Sequence, residues 1–373
     1  MQTRPLAPNS VIGILGGGQL ARMLSLAAAP LGYKTCIYCP EDNGPAIDVC
    51  HSHIVGDYGD QAKLKQFAAK VDVITYEFEN IPASTIAFLN QLITVSPNLK
   101  SLQTSQDRLV EKDYLNSVGA TTAPYANIAT KQDLDNAVRK LGLPAILKTR
   151  TMGYDGKGQV GIKTMADMQQ AYDLVSNNSS GLDKPNCILE GFINFDLEIS
   201  VIIARDAAGN VAIFEPSENA HKNHILNSST IPAQISPDIR AKACQLASDI
   251  IHGLDYVGVL GVETFITTNG NTPIIINEIA PRVHNSGHWT QDACYISQFE
   301  QHIRAIANLP LGSVARHSDV VMHNLIGDGV ALASDYAKQA NAKIHLYGKQ
   351  EIKTGRKMGH VNLLFPLDSL IKT

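Results

Sequence analysis

The chain has 373 residues, which at roughly 100–200 residues per domain implies two or three domains. Apolar residues make up 44% and charged residues 18%, a globular balance that excludes disordered, collagen-like and coiled-coil chains. The net charge of −4 leaves no basic excess to neutralise a nucleic-acid backbone.

No stretch approaches the roughly 18–20 apolar residues of a membrane span, and the longest apolar-leaning run, Leu20–Leu31, is broken by Arg22 and Pro30. Met1–Ser10 has no apolar core of a secretory signal, and 6 cysteines are too few for a disulfide scaffold. The expectation is a cytoplasmic protein with neither membrane nor nucleic acid as partner. Cys36 and Cys39 form a CxxC, close to Cys50, His51 and His53. It reads either as a zinc or redox pair or as two small apolar side chains of a buried strand.

In chain order, Val11–Leu15 is a strand ending in glycines, Gln19–Leu31 a helix and Lys34–Tyr38 a second strand. Asp60–Lys70 is a helix, Val71–Thr75 a third strand, Ser84–Gln91 a helix, and Leu92–Ser96 a fourth strand closed by Pro97. Strands separated by helices predict a parallel, doubly wound sheet. Gln106–Val118 is an amphipathic helix. A smaller α+β unit follows, with strands Ala145–Lys148, Val160–Lys163 and Cys187–Glu190 and helix Ala166–Ser176. Longer strands come next at Leu197–Ala204, Val211–Phe214, Gly261–Thr267 and Pro273–Ile279. Helices span Ile239–His252 and Ile296–Ala307, and from Pro310 the chain reads as short strands and loops.

Gly16-Gly17-Gly18-Gln19-Leu20-Ala21 fits the GxGxxA dinucleotide fingerprint, with Glu41 placed as a ribose-binding acid, so an NAD-dependent dehydrogenase is one reading. Lys148 ends a strand just before Gly153–Gly158, a glycine loop with its own Lys157, suited to phosphates but not a Walker A motif. Asn269-Gly270 predicts a two-residue hairpin turn. In that register Glu263 faces Ile276, and Glu278 is its diagonal neighbour. Two carboxylates on one apolar face call for a shared cation, and Mg²⁺ bridging nucleotide phosphates suits them.

Lys148, the Gly153–Gly158 loop, Glu190-Gly191-Phe192-Ile193, Glu198, Glu263 and Asn277-Glu278 resemble the nucleotide site of the ATP-grasp superfamily. The finer resemblance is to the N5-carboxyaminoimidazole ribonucleotide synthetase family. It rests on the glycine turn, Thr75–Asn80, Gly153–Gly156, Asn277–His288 and Gly355–His360. Met152 and Lys157 depart from the family's usual glycine and arginine, and the string Glu278–Arg282 lacks the asparagine common in ATP-grasp proteins.

The resemblance implies an α/β ATP-grasp fold: an N-terminal Rossmann-like domain over 1–112, an ATP-grasp domain over 113–308 with a lid at about 122–192, and a substrate-phosphate domain over 309–373. It implies a ligase using ATP and Mg²⁺ to carboxylate 5-aminoimidazole ribonucleotide with bicarbonate through carboxyphosphate, as a homodimer. By resemblance ATP meets Arg108, Lys148, the lid Gly153, Tyr154, Asp155, Gly156, Lys157, Gly158 and Gln159, the hinge Glu190, Gly191, Phe192 and Ile193, then Glu198, His221, Asn277 and Glu278. Glu263 and Glu278 take the metal. Gln19, Glu77, Tyr154, Lys157, Lys349 and Arg356 take the ribonucleotide, and Lys349 and Arg356 suit its phosphate. Asp155 orients or deprotonates the amine, while Arg282 and His284 flank the bicarbonate. The rival readings are another acyl-phosphate ATP-grasp ligase, the dehydrogenase, and a non-catalytic nucleotide-binding regulator.

Overall fold

The computed structural model describes residues 4–152, 158–178, 186–267 and 273–371. The N-terminal unit comprises β1 (Val11–Leu15), α1 (Gln19–Ala28), β2 (Lys34–Cys39), β3 (Ser52–Val55), α2 (Gln61–Ala68), β4 (Val73–Tyr76) and α3 (Ala83–Leu89). Its sheet runs β3-β2-β1-β4, with every pairing parallel. Apolar runs in β1, β2 and β4 are buried on both faces, as a doubly covered parallel sheet requires.

Two strand expectations change. Leu92–Ser96 makes only one parallel bridge, Val95 to Ile74, and Pro97, with no N–H to donate, ends the pairing. The fourth strand is instead β3, at the opposite edge beside β2, which the half-exposed Ser52–Val55 disguised. Cys36 and Cys39 both lie buried in β2 with free thiols, so they serve as strand side chains.

The expected helix Gln106–Val118 is two helices, α4 (Leu99–Gln106) and α5 (Arg108–Ser117). Asp107 between them is extended, and its side chain caps α5 by accepting from the Leu109 amide at 3.0 Å.

The next unit is β5 (Tyr125–Ile128), α6 (Lys131–Leu141), β6 (Ala145–Thr149), β7 (Gln159–Ile162), α7 (Met168–Asn178) and β8 (Cys187–Gly191). Its antiparallel sheet, in order β5-β8-β6-β7, has α6 and α7 over one face. Sequence reading missed α6, although Thr130 and Asp133 form a capping box at its start.

The central sheet uses β9 (Leu197–Arg205), β10 (Val211–Ile213), β11 (Ser217–Lys222), β12 (Ile225–Ile231), β13 (Gly258–Ile266), β14 (Ile274–Ala280), β15 (Asp319–Ile326), β16 (Ala342–Leu346) and β17 (Lys357–Phe365). The order is β14-β13-β9-β11-β12-β15-β17-β16, so strands beyond residue 309 continue the same sheet. Long β15 and β17 replace the short strands expected there. The polar hairpin β11–β12 carried no apolar alternation. Its inward Asn219 bonds Ser200 and Ser229 in place of apolar packing. Helices α8 (Pro237–Gly253), α9 (Thr290–Ala293), α10 (Gln298–Ile306) and α11 (Ala333–Tyr336) complete the fold, and α1 packs on α10. Among the described residues no helix is long and apolar enough to cross a membrane.

Candidate active site

The site centres on β13 and β14, where Glu263 lies directly opposite Glu278. This corrects the predicted pairing with Ile276. The ladder closes at Ile266–Ile274, and a bulge after Glu263 puts Thr264, not Glu263, opposite Ile276. Asn269-Gly270 lies outside the described residues. Burial first, then the Glu278 and Glu198 charges, raises the Glu263 carboxyl well above the usual carboxylate range. Glu198, on β9, is pushed up to about 7 by burial and by Glu278. Crowded anions of this kind fit a divalent cation with hard oxygen ligands, and Glu263 and Glu278 are the residues that would hold it.

Arginine and histidine side chains surround these carboxylates. Arg108 reaches Glu278 at 3.0 Å. His221 Nδ1 lies 3.3 Å from Glu198. His284 Nε2 lies 3.2 Å from Glu263, while its Nδ1 meets the Ser286 hydroxyl at 2.8 Å. Burial, then Arg282 and Lys357, lowers His284 to about 3, so it is a neutral imidazole tied to the Glu263 carboxylate. Arg282 is clamped by both Glu79 oxygens, one of them at 3.1 Å. Although burial opposes its charge, Arg282 holds Glu79 down at about 2. Glu79, Arg108, Glu278, Arg282 and His284 line a cavity of about 60 Å³, room for a small anion rather than a nucleotide.

In the β5–β8 unit, Lys148 of β6 bonds Glu190 of β8 at 3.0 Å. Gly191 ends β8, and Phe192 and Ile193 lie just past it, Phe192 half exposed. Gly158 is left-handed at φ +71°, with its carbonyl on the Thr149 amide, and Gln159 pairs with Lys148 across the ladder. Gly153, Tyr154, Asp155, Gly156 and Lys157 lie outside the described residues.

At the other end, Glu77 follows β4 and turns into the glycine cluster. Its carboxylate accepts from the backbone amides of Gly18 and Ala21 at the start of α1, beside Gln19. A Cβ on Gly16 would lie 2.5 Å from Glu77 Cγ. The glycines therefore admit an internal carboxylate, and the anion place of the fingerprint is already filled, against the dehydrogenase reading. Lys349 and Arg282 both act on the Glu77 charge. Lys349 Nζ donates to the Lys357 carbonyl at 2.6 Å, and burial, then the neighbouring Arg356, lowers it to about 8.

Several residues of this geometry were not singled out beforehand. Glu111 accepts from the Ile279 amide at 2.7 Å, and Lys112 bonds Glu190 at 3.3 Å. Arg108, Glu111 and Lys112 follow the i, i+3, i+4 spacing of one helical face, a signal present in the sequence. Glu79 carried no such signal, because its partner Arg282 is distant in the chain.

Three family models match in series: the ribonucleotide synthetase preATP-grasp domain over residues 10–106, the ATP-grasp domain over 113–299, and the phosphoribosylaminoimidazole carboxylase C-terminal domain over 320–370. The chain is 49% identical to the N5-carboxyaminoimidazole ribonucleotide synthase of Brucella melitensis, covering 98% of this chain and 99% of that one. The Bacillus subtilis enzyme of the same name is 42% identical, covering 98% and 94%. The solved ADP complex of an N5-carboxyaminoimidazole ribonucleotide synthetase superposes with a TM-score of 0.92 at 41% identity, covering 97% and 94%. The Aspergillus clavatus enzyme in complex with ADP and 5-aminoimidazole ribonucleotide does so at 0.87 and 30%, covering 96% and 94%. The chain belongs to the N5-carboxyaminoimidazole ribonucleotide synthase family of ATP-grasp ligases.

Proposed function

We propose that the chain joins bicarbonate to 5-aminoimidazole ribonucleotide at the expense of ATP, through carboxyphosphate. It is an enzyme of purine biosynthesis, a ligase that converts this ribonucleotide to its N5-carboxy derivative. The observation that carries the chemical route is the small cavity beside Glu278, into which the Glu79-held Arg282 and Arg108 both reach.

Lys148 and Arg108 take the ATP phosphates, the 190–193 hinge takes adenine, and Glu198, with His221 beside it, takes the ribose. Glu263 and Glu278 would hold Mg²⁺, which when bound would offset the phosphate charge. Arg282, fixed by Glu79, holds bicarbonate near the γ-phosphate. A bicarbonate oxygen attacks the γ-phosphorus as the bond to ADP breaks. The resulting carboxyphosphate releases CO₂ and phosphate, and the substrate amine adds to the CO₂ carbon and loses a proton, which Asp155 accepts. Lys349 and Arg356 take the ribonucleotide phosphate, and Gln19, Glu77, Tyr154 and Lys157 complete that pocket. Enclosure by the lid protects carboxyphosphate from water.

The same reading carries a cytoplasmic homodimer acting on small molecules, and sedimentation in solution tests the dimer. The reaction itself is tested by ADP release with the ribonucleotide, with and without bicarbonate. Full release in both conditions would overturn it.

A further inference from the structure

Lys112 is 2% exposed, an unusual place for an ammonium, and it lies outside the phosphate-binding set described above. Its Nζ meets Glu190 Oε2 at 3.3 Å and the Asn277 carbonyl at 3.5 Å. Lys148 meets the same Oε2 at 3.0 Å. One buried carboxylate is thus shared by two ammonium groups, and Glu190 Oε1 has no hydrogen-bond partner among the described residues. The two lysines differ in freedom. Lys112 is a buried residue of α5 itself, one turn beyond Arg108, whereas Lys148 is 13% exposed near the end of β6.

We propose that Lys112 is a positioning residue for nucleotide binding: it keeps Glu190 compensated so that Lys148 is released to the ATP phosphates. The inference rests on the reading of Lys148 as a phosphate contact. If Lys148 were the sole partner of Glu190, moving it to a phosphate would strand a buried negative charge beside an arriving polyanion. With Lys112 fixed in place, Lys148 exchanges one anion for another and Glu190 stays paired. Lys112 touches no substrate in this scheme.

The test is calorimetric titration of the full chain with Mg-ATP, together with steady-state kinetics. Lys112→Met should weaken ATP about tenfold or more and raise the KM for ATP, leaving the KM for the ribonucleotide unchanged. Lys112→Arg should retain affinity. A purely structural lysine would weaken both substrates alike and gain nothing from an arginine that keeps the charge. Unchanged ATP affinity in Lys112→Met, or a Lys112→Arg chain that loses as much as Lys112→Met, overturns the proposal. Should Lys112→Met not fold, Lys112→Gln takes its place, and unchanged ATP affinity there overturns the proposal. Lys148→Met separates the two readings. If it binds ATP normally, the phosphate role of Lys148 falls; if it loses ATP while Lys112→Met does not, only the role of Lys112 falls.

Discussion

The Glu77 carboxylate accepts from the amide of Gly18 at the first turn of α1, and from Ala21 at 2.9 Å, so the helix N-terminus is satisfied from within the chain. A dinucleotide fingerprint leaves that position open for a pyrophosphate. Here the same glycines bring a side chain from the end of β4 against the helix and aim it toward Lys349 and Arg282.

Gly18→Ala therefore tests the cradle. The new Cβ would lie 2.5 Å from Glu77 Oε1, so the carboxylate must move and its amide bonds be lost. The expected cost is about 1–3 kcal/mol of stability, read as a lower urea midpoint. The KM for the ribonucleotide should rise while that for ATP holds. An unchanged midpoint and unchanged KM would show that Glu77 does not need this seat. Titration of the parent chain with NADH should give no fluorescence change.

Glu278→Gln should abolish ATP turnover with the fold intact. Glu278 and its partner Arg108 are 39% and 20% exposed, so loss of the pair is cushioned by solvent and costs little stability. What disappears is one of the two facing carboxylates that would hold the metal. Circular dichroism should match the parent. Near-normal ADP release at saturating Mg²⁺ would refute the metal assignment.

Lys349 gives the site a pH dependence. Lowered to about 8, its ammonium is charged below that pH and neutral above it, so ribonucleotide capture should weaken as pH rises through about 8. The substrate phosphate is already dianionic there and adds no opposing change. A bound phosphate raises the lysine again, so the fall should appear in kcat/KM for the ribonucleotide and much less in kcat. Lys349→Arg keeps its charge and should flatten this limb. Lys349→Ala or Arg356→Ala should cost about 1.5–3 kcal/mol, about ten- to a hundredfold in affinity, without affecting ATP. An unaltered KM in both alanine variants would reduce the two cations to solvated surface.

Local signals made most of the fold legible. Apolar runs between helices announced the N-terminal sheet, and the change of pattern after Gly119 announced the smaller α+β unit of β5–β8. The failures share a cause: they depend on partners far away in sequence. β3 is half exposed because it lies at a sheet edge. β11 and β12 bury serines and an asparagine that look like loop residues until Ser200 is beside them. The bulge after Glu263 moves a whole register, and no residue type marks it. Resemblance supplied the named site residues, but the arrangement of charges was not readable from motifs. Glu79 on Arg282, Lys112 on Glu190 and His284 on Glu263 each join segments separated by other elements.

The order of the chemistry is tested by isotope. Arg282 follows Glu278 by four residues, and Glu79 fixes its guanidinium at the cavity beside Arg108. A small anion held there lies next to the phosphates that Arg108 and Lys148 would grip, and bicarbonate is an anion of that size. If its oxygen attacks the γ-phosphorus, that oxygen leaves with the phosphate when carboxyphosphate breaks down. Turnover in ¹⁸O-bicarbonate should therefore yield ¹⁸O-phosphate, with exchange into water controlled. Arg282→Ala should uncouple the enzyme, because bicarbonate is poorly held while the nucleotide site stays whole. ADP should then form in excess over carboxylated product. The variant also leaves Glu79 without its clamp, so Glu79→Gln in the Arg282→Ala background serves as the control: uncoupling that persists there belongs to the missing cation rather than to the stranded carboxylate. Unlabelled phosphate from the parent enzyme would mean that the ribonucleotide, and not bicarbonate, is phosphorylated, and Arg282 would lose its role with the route.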